Sequence, residues 1–526
     1  MTTDAFRSAA APMPSGIATY AGPRFATQAA LTALALGVLG DYLLRADKPG
    51  LGFGLWVAAI VLALELLSRQ RGHEWTPAQR LLVVPILFFG EAIAWRDSEF
   101  LILLNVAAGI LAAAVLSAAL YHGDAWDATT ARLRDYIEAC VDTWLGAAGG
   151  AVPLVLAANA ERTPGALTER GRIARAVARG LALALPLLLL FGALLVSADP
   201  VFARLVSDVL SFDLANVLSH VFLTLVLAWP VAGWLRGTLL TRTTIITGPR
   251  PVGFSLGLVE IASVLGALDA LFAAFVGVQA RFMFGGDALV RATAGMTYAE
   301  YARRGFFELV WVVLLALPVI LVSHAMLRRE SPRAERVWRW LVGVMLVLLG
   351  VIAASAMLRM RAYVDAYGLT PDRVYASTFM AWLAIVFVWL ALTVVRGHPR
   401  RFAIGALVSG WAVLALLDLA GPDAVVARAN LSRLRDTGKL DGPHLATLGA
   451  EAVPYTLAAL PLVSPEARCA MANTLVDRWH DRPAGDWRGW NRSRAQAREL
   501  VGARIAELKA LPCTNATGGQ RTPLAP

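Results

Sequence analysis

The sequence predicts an all-α fold, a polytopic transmembrane helical bundle of about 11 spans followed by a small helical domain outside the cytoplasm. The 526-residue chain is 57% hydrophobic and only 16% charged, with a mean hydropathy of +0.59. A soluble domain carries about a quarter charged residues. Long stretches such as 181–196 contain no charge at all, and basic residues concentrate in alternate loops. These three observations indicate a membrane protein.

The individual spans follow from runs of roughly 17 to 25 apolar residues, which match the thickness of the hydrocarbon core. Such runs must be helical because lipid offers no partners to backbone N–H and C=O groups. We predict spans at 27–44, 51–68, 81–95, 99–121, 177–197, 216–235, 256–280, 306–327, 337–358, 374–395 and 402–420.

These spans divide the chain into five parts. We expect a disordered N-terminal arm (1–25), a first transmembrane block (26–121), a cytoplasmic or interfacial segment (122–176), a second transmembrane block (177–420) and an extracytoplasmic helical tail (421–526).

The placement of basic residues predicts the orientation. With the N-terminus inside, the cytoplasmic loops carry about twice as many Lys and Arg residues as the outer loops, as the positive-inside rule requires. Segment 142–160 is apolar but short, and it is interrupted by Gly149, Gly150 and Pro153. We read it as interfacial or re-entrant. If it spans the membrane instead, every later loop changes side.

The tail is polar and periodic. Ser464 is a candidate N-cap for one helix, and a second helix is predicted at about 491–509. Two antiparallel helices would bring Cys469 towards Cys513, so we predict a disulfide between them on an oxidising side of the membrane. The alternative is two thiols that never meet. Cys140 is expected to be a free cytoplasmic thiol.

Segment 297–311 carries charged and aromatic residues into the eighth span. On a helix, Tyr301 and Glu308 share one stripe, whereas Arg304 and Trp311 share another. We expect an amphipathic helix on the outer surface that continues into the span. Glu308 either caps this helix or pairs with Arg304, or it faces an outward polar pocket.

Acidic residues at membrane depth are candidate functional residues because each costs roughly 2.5–3.5 kcal/mol to insert. Asp269 lies in mid-span and is expected to hydrogen-bond a neighbouring helix, or else to relay ions or protons. Asp199 precedes Pro200, which indicates a helix start. An outward catalytic acid is the alternative reading of Asp199. The stretches "GFGLW" and "GAAGG" are read as helix-packing sequences.

Five motifs, at positions between 181 and 498, carry a resemblance to a known family: "FGALLVSADPVFARL", "LDALFAAFVGVQARFMFGG", "TYAEYARRGFFELVWV", "RMRAYVDAYGLTPDRVYA" and "DWRGWNRSRAQAR". The chain resembles an uncharacterised family of bacterial polytopic inner-membrane proteins, catalogued as a domain of unknown function. The resemblance implies a bacterial origin and a location in the cell inner membrane. It carries no catalytic residues.

Three function classes stay open at this point: a non-enzymatic envelope binding or scaffold protein, a transporter, or an enzyme acting on a lipid-linked substrate at the outer face. We expect neither metal nor cofactor, because the sequence has no metal-ligand spacing and no nucleotide-binding motif. The expected partners are anionic lipid headgroups and an envelope protein or small ligand at the outer face. The excess of basic residues lies in short loops between the spans, which argues against nucleic acid as a partner.

Overall fold

The computed structural model describes residues 23–123, 126–159, 191–192, 194–202, 214–240, 255–294, 306–328, 331–438 and 440–511, with single positions elsewhere between 173 and 204. The described residues form helices and turns and no strand, apart from one isolated bridge between Leu256 and Leu327. The predicted all-α class is therefore confirmed.

Thirteen helices are described before residue 421, and nine of these are long and apolar enough to cross a membrane. The nine are α1, α2, α5 and α8 to α13. The bounds are α1 Pro23–Leu44, α2 Leu51–Gln70, α3 Pro77–Leu81, α4 Val83–Ala92, α5 Glu99–His122, α6 Leu133–Gly149, α7 Ala151–Asn159, α8 Leu214–Leu239, α9 Leu258–Ala294, α10 Phe306–Met326, α11 Pro332–Tyr367, α12 Pro371–Leu390 and α13 Phe402–Ala420.

The third predicted span, 81–95, is a broken helix made of α3 and α4. Pro85 has no N–H to donate to the carbonyl of Leu81, so the helix is interrupted at Leu82. At the start of this pair, Gln79 Nε2 donates to Ala119 O at 2.9 Å, beside the end of α5. The fifth predicted span, 177–197, lies largely outside the described residues.

Helices α6 and α7 form a pair bent by 61° at Gly150, where 142–160 was predicted to be interfacial or re-entrant. The bend packs closely against α8. A Cβ added at Gly233 would lie 2.2 Å from Gly146 O, and one at Gly150 would lie 2.7 Å from Gly233 Cα. The sequence "GAAGG" therefore serves helix packing, as predicted.

The bundle has two distinct ends. At the end that we call the tail end, the loops following α1, α4 and α11 meet residues 421–511; Leu51 N donates to Trp490 O at 2.9 Å and Leu369 N to Asn430 Oδ1 at 2.8 Å. At the far end, Arg71 donates to Leu239 O, and the bridge joins Leu256 to Leu327. The loops that these contacts join at each end are loops that the predicted spans place on the same side of the membrane.

The tail contains α14 Pro422–Thr437, α15 Gly442–Thr447, α16 Val453–Ala459, α17 Pro465–Val476, α18 Arg492–Gly502 and α19 Ile505–Lys509. Ser464 caps α17 as predicted, accepting from Ala467 N at 3.3 Å. The tail core, which includes Val426, Met471 and Ala497, continues into the bundle through Leu101. The tail therefore packs firmly on the membrane helices.

The cysteines occupy different environments. Cys140 is free, and Cys469 is disulfide-bonded. Because Cys513 lies outside the described residues, its pairing with Cys469 stays a prediction.

Candidate functional site

The residues singled out in the sequence do not form one site. Glu308 is exposed in the first turn of α10, where a carboxylate interacts favourably with the helix dipole. Asp199 is exposed and accepts from Val201 N at 2.7 Å and Phe202 N at 3.2 Å, which is the geometry of a helix start. Tyr301 and Arg304 lie outside the described residues.

Asp269 is buried in α9 with 7% exposure, and neither carboxylate oxygen has a hydrogen-bond partner among the described residues. The hydrogen bond that we expected from Asp269 to a neighbouring helix is therefore absent from the described part of the chain. Its role as an ion or proton relay stays a prediction.

The tail end holds a denser polar arrangement, centred on Arg494 in the first turn of α18. Arg494 Nη1 contacts Asp97 Oδ1 at 2.7 Å, and Nη2 donates to Pro49 O at 2.8 Å and Gly489 O at 2.7 Å. The side chains of Arg494 and Asp97 are only 7% and 5% exposed. One guanidinium thus ties the tail to two separate loops of the bundle.

The rest of segment 491–494 ("NRSR") donates hydrogen bonds to the backbone carbonyls that follow α4. Asn491 Nδ2 donates to Ile93 O and Arg96 O at 2.9 Å each, Arg492 N donates to Ala94 O at 2.8 Å, and Ser493 Oγ donates to Trp95 O at 2.6 Å. The last carbonyls of a helix have no intrahelical donor. We call segment 491–494 together with residues 93–97 the tail junction.

A buried acidic pair adjoins the tail junction. Glu451 Oε1 accepts from Asp97 N at 2.9 Å, and Asp423 Oδ2 accepts from Gly449 N at 3.2 Å. Burial, together with the negative charge of Glu451, raises the pKa of Asp423 to about 6. A Cβ at position 449 would lie 2.3 Å from Asp423 Oδ2, so a larger residue there would displace the carboxylate that accepts from this backbone N–H.

Beside the tail junction lies a cavity of about 610 Å³, which we call the tail cleft. Trp487 and Trp490 are 50% and 46% exposed at the cleft. Trp479 Nε1 and Arg498 Nε are buried and have no hydrogen-bond partner in the part of the chain that the structure describes. The charged residues that line the cleft are mostly basic: Lys48, Arg478, Arg482, Arg494 and Arg498 against Asp47 and Asp486.

A family model described as a domain of unknown function, DUF4153, matches residues 83–459, well over half of the chain. The chain belongs to the DUF4153 family. Comparison with curated proteins and with solved structures found no match. The resemblance to an uncharacterised family is thereby confirmed.

The residues matched by the DUF4153 model include only one side of the tail junction, residues 93–97. Asp97, Asp423 and Glu451 lie within the matched residues, whereas Arg494 and the motif "DWRGWNRSRAQAR" lie beyond them. The carboxylates of this site therefore belong to the DUF4153 region, and the guanidinium that pairs with Asp97 does not.

A second polar arrangement lies at the tail end, between α1 and α8. His220 Nδ1 pairs with one carboxylate oxygen of Asp41, and Arg45 Nε contacts the other at 2.8 Å. Arg45 Nη2 also donates to Ser219 Oγ at 3.0 Å. The exposed histidine is thus oriented by a buried carboxylate.

Sequence reasoning missed both arrangements, although part of the signal was present. Asp41 and His220 both lie at span ends that the topology places on one side, so their meeting could have been proposed. The pairing of Arg494 with Asp97 could not be recognised from the sequence, because Arg494 is one of several arginines on a short polar helix. Within the described part of the chain, no group of His, Cys, Asp and Glu has the arrangement of a metal site.

Proposed function

We propose that this DUF4153 protein is a non-enzymatic binding protein of the bacterial inner membrane, whose tail cleft receives an anionic ligand outside the cytoplasm. The observation that carries the proposal is the tail cleft, which combines basic residues, half-exposed tryptophans and unpartnered buried donors. Ligand sites typically combine apolar walls with a few polar groups of this kind.

Two features support the orientation. The far end carries most of the loop arginines, which favours its placement in the cytoplasm. Cys469 in the tail is disulfide-bonded, and disulfides persist in oxidising compartments such as the bacterial periplasm. Both features support a tail outside the cytoplasm.

The charges of the tail cleft favour an anion. Asp486 is paired with Arg488, with Arg488 Nε donating to Asp486 Oδ2 at 2.7 Å. Arg482 forms an exposed ion pair with Asp477 at 3.2 Å, and Asp47 then faces Lys48 and Arg498. Trp487 and Trp490 can stack on a flat apolar face of a ligand. An acidic oligosaccharide or an acidic peptide has the chemistry that this cleft would bind.

The proposal is tested by equilibrium binding to the full chain in nanodiscs of zwitterionic lipid. Acidic oligosaccharides and peptides are compared with neutral ones of equal length. We expect the acidic probes to bind in preference, and Arg482→Gln with Trp490→Ala to weaken binding at least tenfold, as loss of a charged contact and an aromatic contact implies. Arg435→Gln with Trp340→Ala, two exposed residues elsewhere, is the matched control. Equal binding of neutral probes, or an equal loss in the control, would refute the proposal.

The Asp41–His220 pair favours a second candidate, an enzyme acting on a lipid-linked substrate at the same face. An aspartate that orients a histidine is a recurrent arrangement for proton transfer. An enzyme of this kind would turn over lipid-linked oligosaccharides in proteoliposomes, and His220→Gln would abolish the turnover without unfolding the chain. Absence of turnover by the wild-type protein, or equal turnover by the variant, would exclude this candidate.

A further inference from the structure

The far end of the bundle contains a groove of about 1040 Å³ that the proposed function does not use. Four segments form it: the start of α6, the end of α10, Glu335 of α11 and the turn between α12 and α13. We call it the basic groove. Its chemistry is divided between an apolar wall and a basic rim.

The apolar wall consists of exposed side chains from α6 and α10. Leu133, Ile137 and Val322 line the groove and are exposed. These three residues lie where the ends of α6 and α10 face each other, beside a membrane span. An exposed apolar surface at this position suits an acyl chain of the bilayer.

The rim is positively charged. Arg132, Arg134, Arg400 and Arg401 line the groove, together with only two acids, Glu138 and Glu335. Both acids are neutralised, because Glu138 pairs with Arg134 at 2.5 Å and Glu335 pairs with Arg339 at 2.6 Å.

Arg400 and Arg401 are exposed and form no ion pair with any described residue. The turn that places them at the rim contains Gly397, whose φ of 88° is accessible mainly to glycine. The groove therefore holds an uncompensated positive charge directly beside its apolar wall.

We infer that the basic groove binds an anionic phospholipid, with the headgroup phosphate at Arg400 and Arg401 and an acyl chain along Ile137 and Val322. Arginine is well suited to phosphate because its guanidinium donates two parallel hydrogen bonds. A free phosphate shares the headgroup chemistry but leaves the apolar wall uncovered and most of the volume empty. The division of the groove into a charged part and an apolar part favours the lipid.

The inference is tested on the full chain in nanodiscs that contain phosphatidylcholine and a minor fraction of phosphatidylglycerol. Native mass spectrometry after transfer to a neutral detergent counts the lipids retained. We expect one phosphatidylglycerol to be retained in preference to phosphatidylcholine. Arg400→Gln with Arg401→Gln should weaken this retention by about thirtyfold. Each arginine near an anionic surface increases the affinity by about fivefold, so the loss of two multiplies these factors.

The matched control is Arg336→Gln with Arg396→Gln, which removes the same charge from exposed arginines at the same end but outside the groove. An equal loss in this control would show diffuse attraction and overturn the inference. Val322→Trp fills the apolar wall while leaving the rim arginines intact, and it should also abolish retention. Unchanged retention in Val322→Trp would overturn the placement of the acyl chain.

A second arm distinguishes the lipid from a free anion. Inorganic phosphate is titrated into the protein in neutral detergent without lipid. If phosphate binds and Arg400→Gln with Arg401→Gln removes that binding, while phosphatidylglycerol shows no preference over phosphatidylcholine, the groove is a free-anion site and the lipid inference is wrong. Because Arg400 and Arg401 are exposed, their replacement leaves the fold intact and the test valid.

Discussion

Arg494 connects parts of the chain that are far apart in sequence. Its guanidinium contacts Asp97 and the carbonyls of Pro49 and Gly489, and both partners of the ion pair are almost fully buried. Replacing one partner of a buried pair leaves the other charge without compensation, which costs far more than the net contribution of the intact pair.

We therefore expect Arg494→Ala to lower the free energy of unfolding of the tail by about 3–5 kcal/mol. Pulse proteolysis in mild detergent measures this quantity. The exposed tail residue Arg435 supplies the control, and Arg435→Ala should change it by less than about 0.5 kcal/mol. Adding Asp97→Asn to Arg494→Ala should restore part of the loss, because the unpaired charge is then removed. Similar stabilities of the Arg494 and Arg435 variants would contradict the role assigned to the ion pair.

We expect the stability of the tail to depend on pH because the pKa of Asp423 is raised by burial. Its pKa rises from 3.8 to about 6 on folding, so the folded state binds more protons than the unfolded state between these values. The contribution of Asp423 to the stability of the tail is then largest below pH 4, falls as the pH rises towards 6, and is lower by about 3 kcal/mol above that.

Asp423→Asn should remove this dependence, since the amide oxygen can still accept from Gly449 N and carries no charge. Urea unfolding of the tail at pH 5 and pH 8 should show the variant to be more stable than the wild type at pH 8. The exposed residue Asp436 provides the control Asp436→Asn. Parallel pH dependences of wild type and Asp423→Asn would show that another group titrates.

At the scale of the elements, close packing of α1 on α8 depends on Gly37. A Cβ added there would lie 2.5 Å from Thr224 O and 2.6 Å from Ala228 Cβ. Small residues allow membrane helices to approach closely.

Gly37→Ala should therefore destabilise the bundle by about 1–3 kcal/mol, as overpacking does. Gly109 in α5 is a matched control, because an added Cβ meets no atom within 4 Å. Gly109→Ala should be neutral or slightly stabilising, since alanine favours the helix by up to about 1 kcal/mol over glycine. Thermal unfolding in detergent measures both variants, and an equal effect would show that the contact at Gly37 is unimportant.

The elements also show what could be predicted from sequence. Hydropathy located the membrane helices because the apolar runs are long, and Ser464 marked the start of α17 through local capping chemistry. The break between α3 and α4 at Leu82 was missed, although Pro85 signals it. The helical extension of α11 to Tyr367 was missed because residues 359–367 include the charged Arg359, Arg361 and Asp365. There Arg433 Nη2 donates to Ala366 O at 2.7 Å. Contacts between distant segments, such as Arg494 with Asp97, have no local signature.

At the scale of the whole molecule, the two ends of the bundle predict which residues face which compartment. In a Cys140→Ser background, Asp47→Cys in the tail cleft should react with an impermeant maleimide in intact spheroplasts. Arg396→Cys at the far end should react only after permeabilisation. The reverse pattern would invert the orientation while leaving the contacts between the tail and the bundle unaffected.

The hydrogen bonds from segment 491–494 to the carbonyl groups that follow α4 have a consequence for biogenesis. The donor Asn491 lies 398 residues after the carbonyl of Ile93, so a nascent chain presents bare carbonyl groups near the headgroups until almost all of it has been translated. A polypeptide shortened before residue 491 would keep every membrane helix before residue 421 and yet never close this gap. Cellular proteases should therefore remove such truncated products, even though each remaining helix is intact.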